Sequence, residues 1–431
     1  MMRAMGLLQK DRTPPRRSAV RDRAPAGHPD APARRGRVLL AVALVLTALN
    51  LRPAISGLGP VLAEVRRDLG MSATVAGLLT SVPALCFAVF GVTAPRLAGR
   101  FGPVKVVLAG LVAISAGLGL RAVAGNTAVF LATSALALGG IAVGNVLMPV
   151  LVKRFFADRV GLLTGLYSMG LALGTALAAA LTIPVSRAMG DNWRAGLAAW
   201  ALLAALALLP WLVLLPRLRA RGDDARRPGG AEAGPDGRPL RLTRSPTAWA
   251  LAVFFGLQAM AAYITMGWLP QIYRDAGVSA STAGLLLALV MGMGAPLSFL
   301  VPTLATRLRT QGPLVIAVGL CGFGGYLGLW LAPAGGAWVW AVLLGVANTA
   351  FTVALTMIGL RARTGPGVIR LSAFAQSVGY LLSVPGPLLV GALNEATGGW
   401  TAPLLLLLAL LVAQVCCGVL AGRDRCVEDG H

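Results

Sequence analysis

Acidic side chains are scarce in this chain, and where they are missing limits what it can do. Sixteen Asp and Glu stand against 38 Lys and Arg, and no Asp, Glu or His falls in the middle of a long apolar segment. A conventional proton relay of buried carboxylates is therefore not visible. Nor do an acid, a base and a nucleophile converge at one depth, as a membrane-embedded enzyme would require. Histidine occurs only as His28 and His431, and Cys86, Cys321, Cys416, Cys417 and Cys426 show no metal-ligand spacing. No metal or other cofactor is expected, and no Walker sequence offers a cradle for ATP. None of the cysteines falls in a loop expected outside the cell, so no structural disulfide is expected either. Charged residues of all kinds make up 13% of the 431 positions. That is too few to clothe a water-soluble protein of this size.

What the chain has in quantity is apolar sequence, 57% of it, in blocks long enough to cross a membrane. Crossing a hydrocarbon core of ~30 Å takes ~20 helical residues. Twelve blocks meet that length: 38–58, 74–94, 104–123, 128–152, 160–185, 194–216, 247–268, 280–302, 313–332, 336–359, 371–393 and 400–421. The expected class is an all-α integral membrane protein. Small residues such as Gly170 and Gly174, four apart, let helices approach closely. The run Cys321-Gly322-Phe323-Gly324-Gly325 reads as packing of the same kind, since no strand-loop-helix context surrounds it.

The net charge of +22 points to nucleic acid only until the charges are placed on the chain. With the N-terminus inside, 31 of the 38 Lys and Arg fall in cytoplasmic segments. Six (Arg66, Arg67, Arg121, Arg187, Arg194 and Arg274) fall in outside loops, and Arg52 lies within the first block. This asymmetry predicts an inner-membrane protein with both termini cytoplasmic. The surroundings implied are a lipid bilayer, not a nucleic acid.

Two polar stretches frame the organisation. Residues 1–37 carry Arg, Pro and Ala without apolar periodicity and read as a disordered basic cytoplasmic tail, with a shorter tail at 422–431. Residues 217–246, rich in Arg, Gly, Pro and Asp, cannot bury enough apolar surface to fold and read as a cytoplasmic linker. The linker separates a six-helix bundle at 38–216 from another at 247–421. An internal repeat relates the two. Ser72-Ala-Thr-Val-Ala-Gly-Leu-Leu79 matches Ser279-Ala-Ser-Thr-Ala-Gly-Leu-Leu286, and Pro95-Arg-Leu-Ala-Gly-Arg100 matches Pro302-Thr-Leu-Ala-Thr-Arg307, in one register. Parallel six-plus-six repeats imply a substrate site near the midplane between the halves.

The motifs narrow the resemblance. Leu49-Asn50-Leu51-Arg52-Pro53-Ala54 closes the first block, Gly144-Asn145-Val146-Leu147-Met148-Pro149 lies in the fourth, and Gly161-Leu-Leu-Thr-Gly-Leu-Tyr167-Ser168 opens the fifth. Gly267-Trp268-Leu269-Pro270 and Ser372-Ala-Phe-Ala-Gln376-Ser377-Val378-Gly379-Tyr380 follow. Together, over residues 40 to 420, they resemble the cyanate and 2-nitroimidazole permease family of the major facilitator superfamily. That resemblance implies alternating-access transport of a small solute, exporters being among the family's members. One motif departs from the wider superfamily. Its loop after the second helix resembles Gly-x-x-x-Asp-Arg-x-Gly-Arg-Arg, whereas here Pro95 stands where the acid would be. A cytoplasmic gate resting on that acid's ion pair is in doubt. Arg96 and Arg100, with Arg307 at the equivalent place in the second half, remain the gating-loop candidates.

Arg52 is the most informative residue. Fourteen residues from Val38 at ~1.5 Å each place it ~21 Å deep, and it reads as the only charge well inside any block. A membrane-centre Arg costs about 3 kcal/mol on insertion scales and usually faces a cavity or a partner. Its planar donors could grip a small anion at two points. The competing reading is an Arg that snorkels to the outer interface or bonds the carbonyls of a broken helix near Pro53 and Pro60. Asn50, Asn145 and Asn348 could bind substrate or join helices. Gln376 and Tyr380 lie one turn apart on one face, Tyr167 occupies the matching block of the first half, and Tyr263 could form an aromatic wall with Trp268. For Trp268 and Tyr273 the interfacial aromatic belt is the expected setting.

The first functional reading is secondary active or facilitated transport, by a monomer, of a small anion or strongly dipolar compound held by Arg52. Proton coupling stays open: the proton would travel with the substrate or use Glu64 or Glu395 at the outer end. The alternatives are efflux of small heteroaromatic or drug-like compounds and, more remotely, a transporter-like sensor. The charge asymmetry makes a direct prediction about topology. Single cysteines introduced at 217–246 should resist a membrane-impermeant thiol reagent in intact cells and react once the cells are permeabilised; labelling in intact cells would invert the topology.

Overall fold

The computed structural model describes residues 34–156, 158–219 and 242–430. Most of the 1–37 tail and of the 217–246 linker therefore lies outside the described residues. The described residues are helical throughout, without a strand. Twelve stretches are long and apolar enough to span a membrane, in the order of the twelve apolar blocks. Spans one to six are Gly36–Asp68, Ala73–Gly91, Pro103–Ala122, Thr127–Phe155, Leu162–Ala188 and Trp193–Pro216. Spans seven to twelve are Pro246–Asp275, Ala280–Leu297, Gly312–Leu331, Ala337–Leu360, Gly367–Thr397 and Thr401–Ala421.

The two halves reuse one packing scheme. Span three packs on four and six, as span nine packs on ten and twelve; span two packs on four as eight does on ten. Residues at the repeat offset even perform the same local task. The Ser72 hydroxyl caps span two by accepting from the Val75 N–H at 3.2 Å, and Ser279 caps span eight by accepting from Thr282 N–H at 3.2 Å. Each satisfies an amide that a helix start would leave unpaired. The halves meet chiefly where span two packs on eleven and span five on eight.

Span one is not continuous, and its local chemistry explains why. Its helix Arg34–Asn50 stops, a short helix Pro53–Ser56 follows, then a 3-10 turn Gly59–Val61 and a helix Leu62–Asp68. Pro53 has no N–H to donate and crowds the residue before it out of helical geometry. Arg52 accordingly sits at φ −131°, ψ −28°. Its carbonyl accepts from the N–H groups of Ile55 at 3.0 Å and Ser56 at 3.1 Å, and from the Ser56 hydroxyl at 3.2 Å. Those bonds satisfy backbone that lipid could not. Hydropathy ended this span near residue 58; the polar run Glu64 to Asp68 hides its last helix.

At the face opposite the termini the halves are locked together. Arg274 of span seven donates to both carboxylate oxygens of Glu64, at 2.7 and 2.8 Å, and to the Pro60 carbonyl at 3.0 Å. Glu395 of span eleven accepts from the Thr74 N–H at 2.9 Å and hydroxyl at 2.7 Å, and Arg187 donates to Ser281 at 2.8 Å. Backbones also touch across this seam: a side chain on Gly59 would strike the Met266 carbonyl, and one on Gly391 the Ala73 carbonyl. Partly exposed polar pairs each contribute about 1 kcal/mol or less. Such a closure can be undone, as a two-state carrier needs.

Two expectations are corrected here. Arg121 does not lie in an outside loop; it ends span three with 1% of its surface exposed, so Arg52 is not the only charge inside the bundle. Its Nη1 donates to the Ala54 carbonyl at 3.0 Å, and its guanidinium lies 5.7 Å from the Phe130 ring centre. Trp268 and Tyr273 are fully buried and do not form a lipid-facing belt. Trp268 packs against Trp400 with ring centres 5.7 Å apart, and the Tyr273 hydroxyl donates to the Ala337 carbonyl at 3.0 Å. Hydropathy reports how deep a residue sits and not which way it points.

The seam yields a prediction. Gly391→Val should hold this face open, so that a single cysteine at Ser72 gains reactivity toward an impermeant reagent. Unchanged labelling in a folded variant would show that the glycine contact does not control closure.

Candidate functional site

Between the halves lies a cavity of about 490 Å³, within the range of small-molecule sites. It extends toward the start of span five and the end of span ten, where Thr164, Ser168 and Leu355 are exposed. The cavity therefore opens on the face that carries both described chain ends. Its wall is assembled where helices are interrupted. Span one breaks at Arg52; span eight breaks at Met293 and resumes at Gly294; span ten breaks between Asn348 and Ala350. Arg52, Gly294, Asn348 and Thr349 all line the cavity. Interrupted membrane helices present backbone ends and polar side chains to a solute at mid-depth.

Arg52 is half-buried in this wall. Its backbone is tied down by the helix restart, and its guanidinium makes no hydrogen bond or ion pair with another described residue. Its charge acts on the phenols of Tyr167, Tyr263 and Tyr380. Tyr263 and Tyr380 share the cavity wall with Phe351. The Tyr380 ring stacks on Phe87 of the first half, with centres 4.9 Å apart at 20°, and meets Phe255 edge-on at 5.1 Å. Arg52 and the rings of Tyr263, Phe351 and Tyr380 form part of the wall.

Of the candidates read from sequence, Arg52, Tyr263, Asn348 and Tyr380 come together on the cavity. The others sit beside it. The Tyr167 hydroxyl donates to Asn145 Oδ1 at 3.3 Å, and Asn145 Nδ2 returns to the Ile141 carbonyl one turn back at 2.9 Å. Asn50 is buried, its Nδ2 donating to the carbonyls of Leu46 at 2.8 Å and Leu203 at 3.4 Å, which joins spans one and six. Gln376 donates to the Ser372 hydroxyl at 2.7 Å within its own helix. Arg96, Arg100 and Arg307 are exposed at the open face, with the Arg100 guanidinium 5.2 Å from the Phe101 ring centre.

Other residues line the cavity as well. Gln258 donates to the Asn348 backbone carbonyl at 3.1 Å and to its Oδ1 at 3.3 Å, closing the break in span ten. Thr164, Ser168 and Thr175 put hydroxyls along span five, and Thr349 and Thr352 along span ten. Spacings of four and seven residues on span five, and of three on span ten, keep each set on one helix face. That stripe was legible, but hydroxyls so often bond their own helix that it did not stand out.

The comparisons agree with this architecture. The sequence profile of the Major Facilitator Superfamily matches residues 38–366. The uncharacterized transporter YycB of Bacillus subtilis (strain 168) is 35% identical over 395 residues, 90% of this chain and 94% of that one. Escherichia coli (strain K12) has a 2-nitroimidazole transporter 34% identical over 91% of this chain and 97% of its own. It also has the cyanate transport protein CynX, 31% identical over 83% and 90%. In fold, the chain resembles a bacterial homolog of the human lysosomal transporter Spinster in an inward-facing, occupied conformation. The TM-score is 0.67 at 19% identity, covering 90% of this chain and 95% of that one.

Proposed function

The chain belongs to the major facilitator superfamily, and on that premise we propose that it carries a small anionic or strongly dipolar solute across the inner membrane by alternating access, with Arg52 as the recognition group. The observation that carries this reading is a guanidinium held in the wall of the central cavity, at a helix break, without a partner among the described residues. A cation kept in a membrane interior is costly, and a solute that accepts its hydrogen bonds offsets that cost on arrival. Placing both termini and residues 217–246 in the cytoplasm, as the charge asymmetry favours, makes the open end of the cavity cytoplasmic. A single chain encloses the whole cavity, which supports a monomer as the working unit. Glu64 and Glu395 both serve to close the opposite face, so they are the carboxylates through which an external proton would act on the cycle.

A second reading, transport of a small heteroaromatic compound outward, draws on one feature of the site. Tyr263, Phe351 and Tyr380 offer ring faces beside the cation, and a planar heterocycle with a strong dipole could use both. Offset ring stacking contributes about 0.5–1.5 kcal/mol beyond burial.

Both readings are tested with the purified chain in liposomes, offered cyanate, other small anions, carboxylates and nitroimidazoles. Arg52→Ala should lower transport of the accepted anion by about 10- to 100-fold, as expected for a lost hydrogen bond to a charged group. Arg52→Lys should recover only part of the loss, because an ammonium keeps the charge but not the planar two-point grip. Wild-type transport by Arg52→Ala would remove Arg52 from the site. Nitroimidazole movement that survives Arg52→Ala while Tyr380→Ala abolishes it would favour the second reading.

A further inference from the structure

Arg121 poses a problem that the central cavity does not solve. Its side chain is 1% exposed, and no acidic side chain among the described residues pairs with it. Nη1 donates to the Ala54 carbonyl, and the guanidinium face lies near the Phe130 ring. Nε and Nη2 have no hydrogen-bond partner among the described residues. Neither has the Ser134 hydroxyl, which is fully buried on span four. Both side chains line one small cavity of about 10 Å³, otherwise walled mainly by aliphatic residues of spans one, two and four. A cation left in such surroundings without compensation costs several kcal/mol.

The geometry points to a binding site for a single monovalent anion of halide size between Arg121 and Ser134. The guanidinium only donates, and a hydroxyl can donate as well. A cavity that holds these donors beside a fixed positive charge suits a species that accepts from them and carries a negative charge. A water molecule accepts two hydrogen bonds at most and leaves the charge unbalanced. The cavity has room for one water-sized species, which excludes carboxylates and other polyatomic solutes. The site is distinct from that of Arg52, although Tyr263 lines both cavities. It lies behind the break in span one, against the seam that the halves close. A bound anion would neutralise Arg121 there and help hold the Ala54 carbonyl in place, acting as a structural ion of the closed face.

The test uses the purified full chain in detergent, unfolded by heat while chloride replaces gluconate at constant ionic strength. The midpoint should rise with chloride and not with gluconate, because a ligand that binds only the folded state stabilises it in proportion to its occupancy. Ser134→Ala should raise the chloride concentration needed for half the effect by about tenfold, the loss of one charge-assisted hydrogen bond. Arg121→Gln should abolish the chloride dependence. Should Arg121→Gln fail to fold, Ser134→Ala still decides the matter, together with bromide anomalous density beside Arg121 in crystals grown from bromide. The Arg52 site takes small anions as well, so the series is repeated in an Arg52→Ala background, where the Ser134-dependent part of the chloride response should remain. Equal midpoints in the two salts, with no bromide peak, would mean that water fills the cavity and would overturn the assignment. A chloride response unaltered in Ser134→Ala would place the anion elsewhere and overturn it equally.

Discussion

The arrangement of this protein depends on one constraint, the requirement that every backbone polar group inside a bilayer find a partner within the protein. Pro53 breaks span one against that requirement, and the structure answers at close range. Ile55, Ser56 and the Ser56 hydroxyl all donate to the Arg52 carbonyl. Arg121, reaching across from span three, donates to the Ala54 carbonyl. The break thus fixes the backbone of one arginine and recruits the side chain of another. Two cations end up on either side of a single kink, one in the central cavity and one sealed behind it.

The same rule explains why the cavity stands where it does. Spans one, eight and ten are interrupted at its wall, and the breaks in spans one and ten place Arg52 and Asn348 on it. Gln258 shows how specific the repair is, since it donates to both oxygens of Asn348 at the break in span ten. An uninterrupted helix spends its backbone internally and presents only side chains. A transporter cavity lined by breaks has polar groups at mid-depth that neighbouring helices hold in position.

Closure at the far face depends on weaker forces. Its ion pair, its carboxylate contacts and its glycine seam join spans of opposite halves. The Glu64–Arg274 pair remains partly exposed on both sides, at 28% and 20%. Water competes for such groups and limits what each contributes.

The sequence by itself determined the twelve spans and supplied the expectation of two halves and of the chain's path through the membrane, because apolar length, charge asymmetry and an internal repeat are properties of the linear order. It also marked Arg52, since a charge within an apolar run is visible without coordinates. What it did not decide was direction around each helix axis. Arg121 and Trp268 read as peripheral and are buried, while Asn50 and Gln376 read as site residues and bond to their own or neighbouring helices. A hydrophobic span is apolar on nearly every side, so periodicity cannot show which residues meet the partner half and which meet lipid. Only the packing of one bundle against the other decided that, by placing four of the candidate residues on one wall and a second guanidinium behind it.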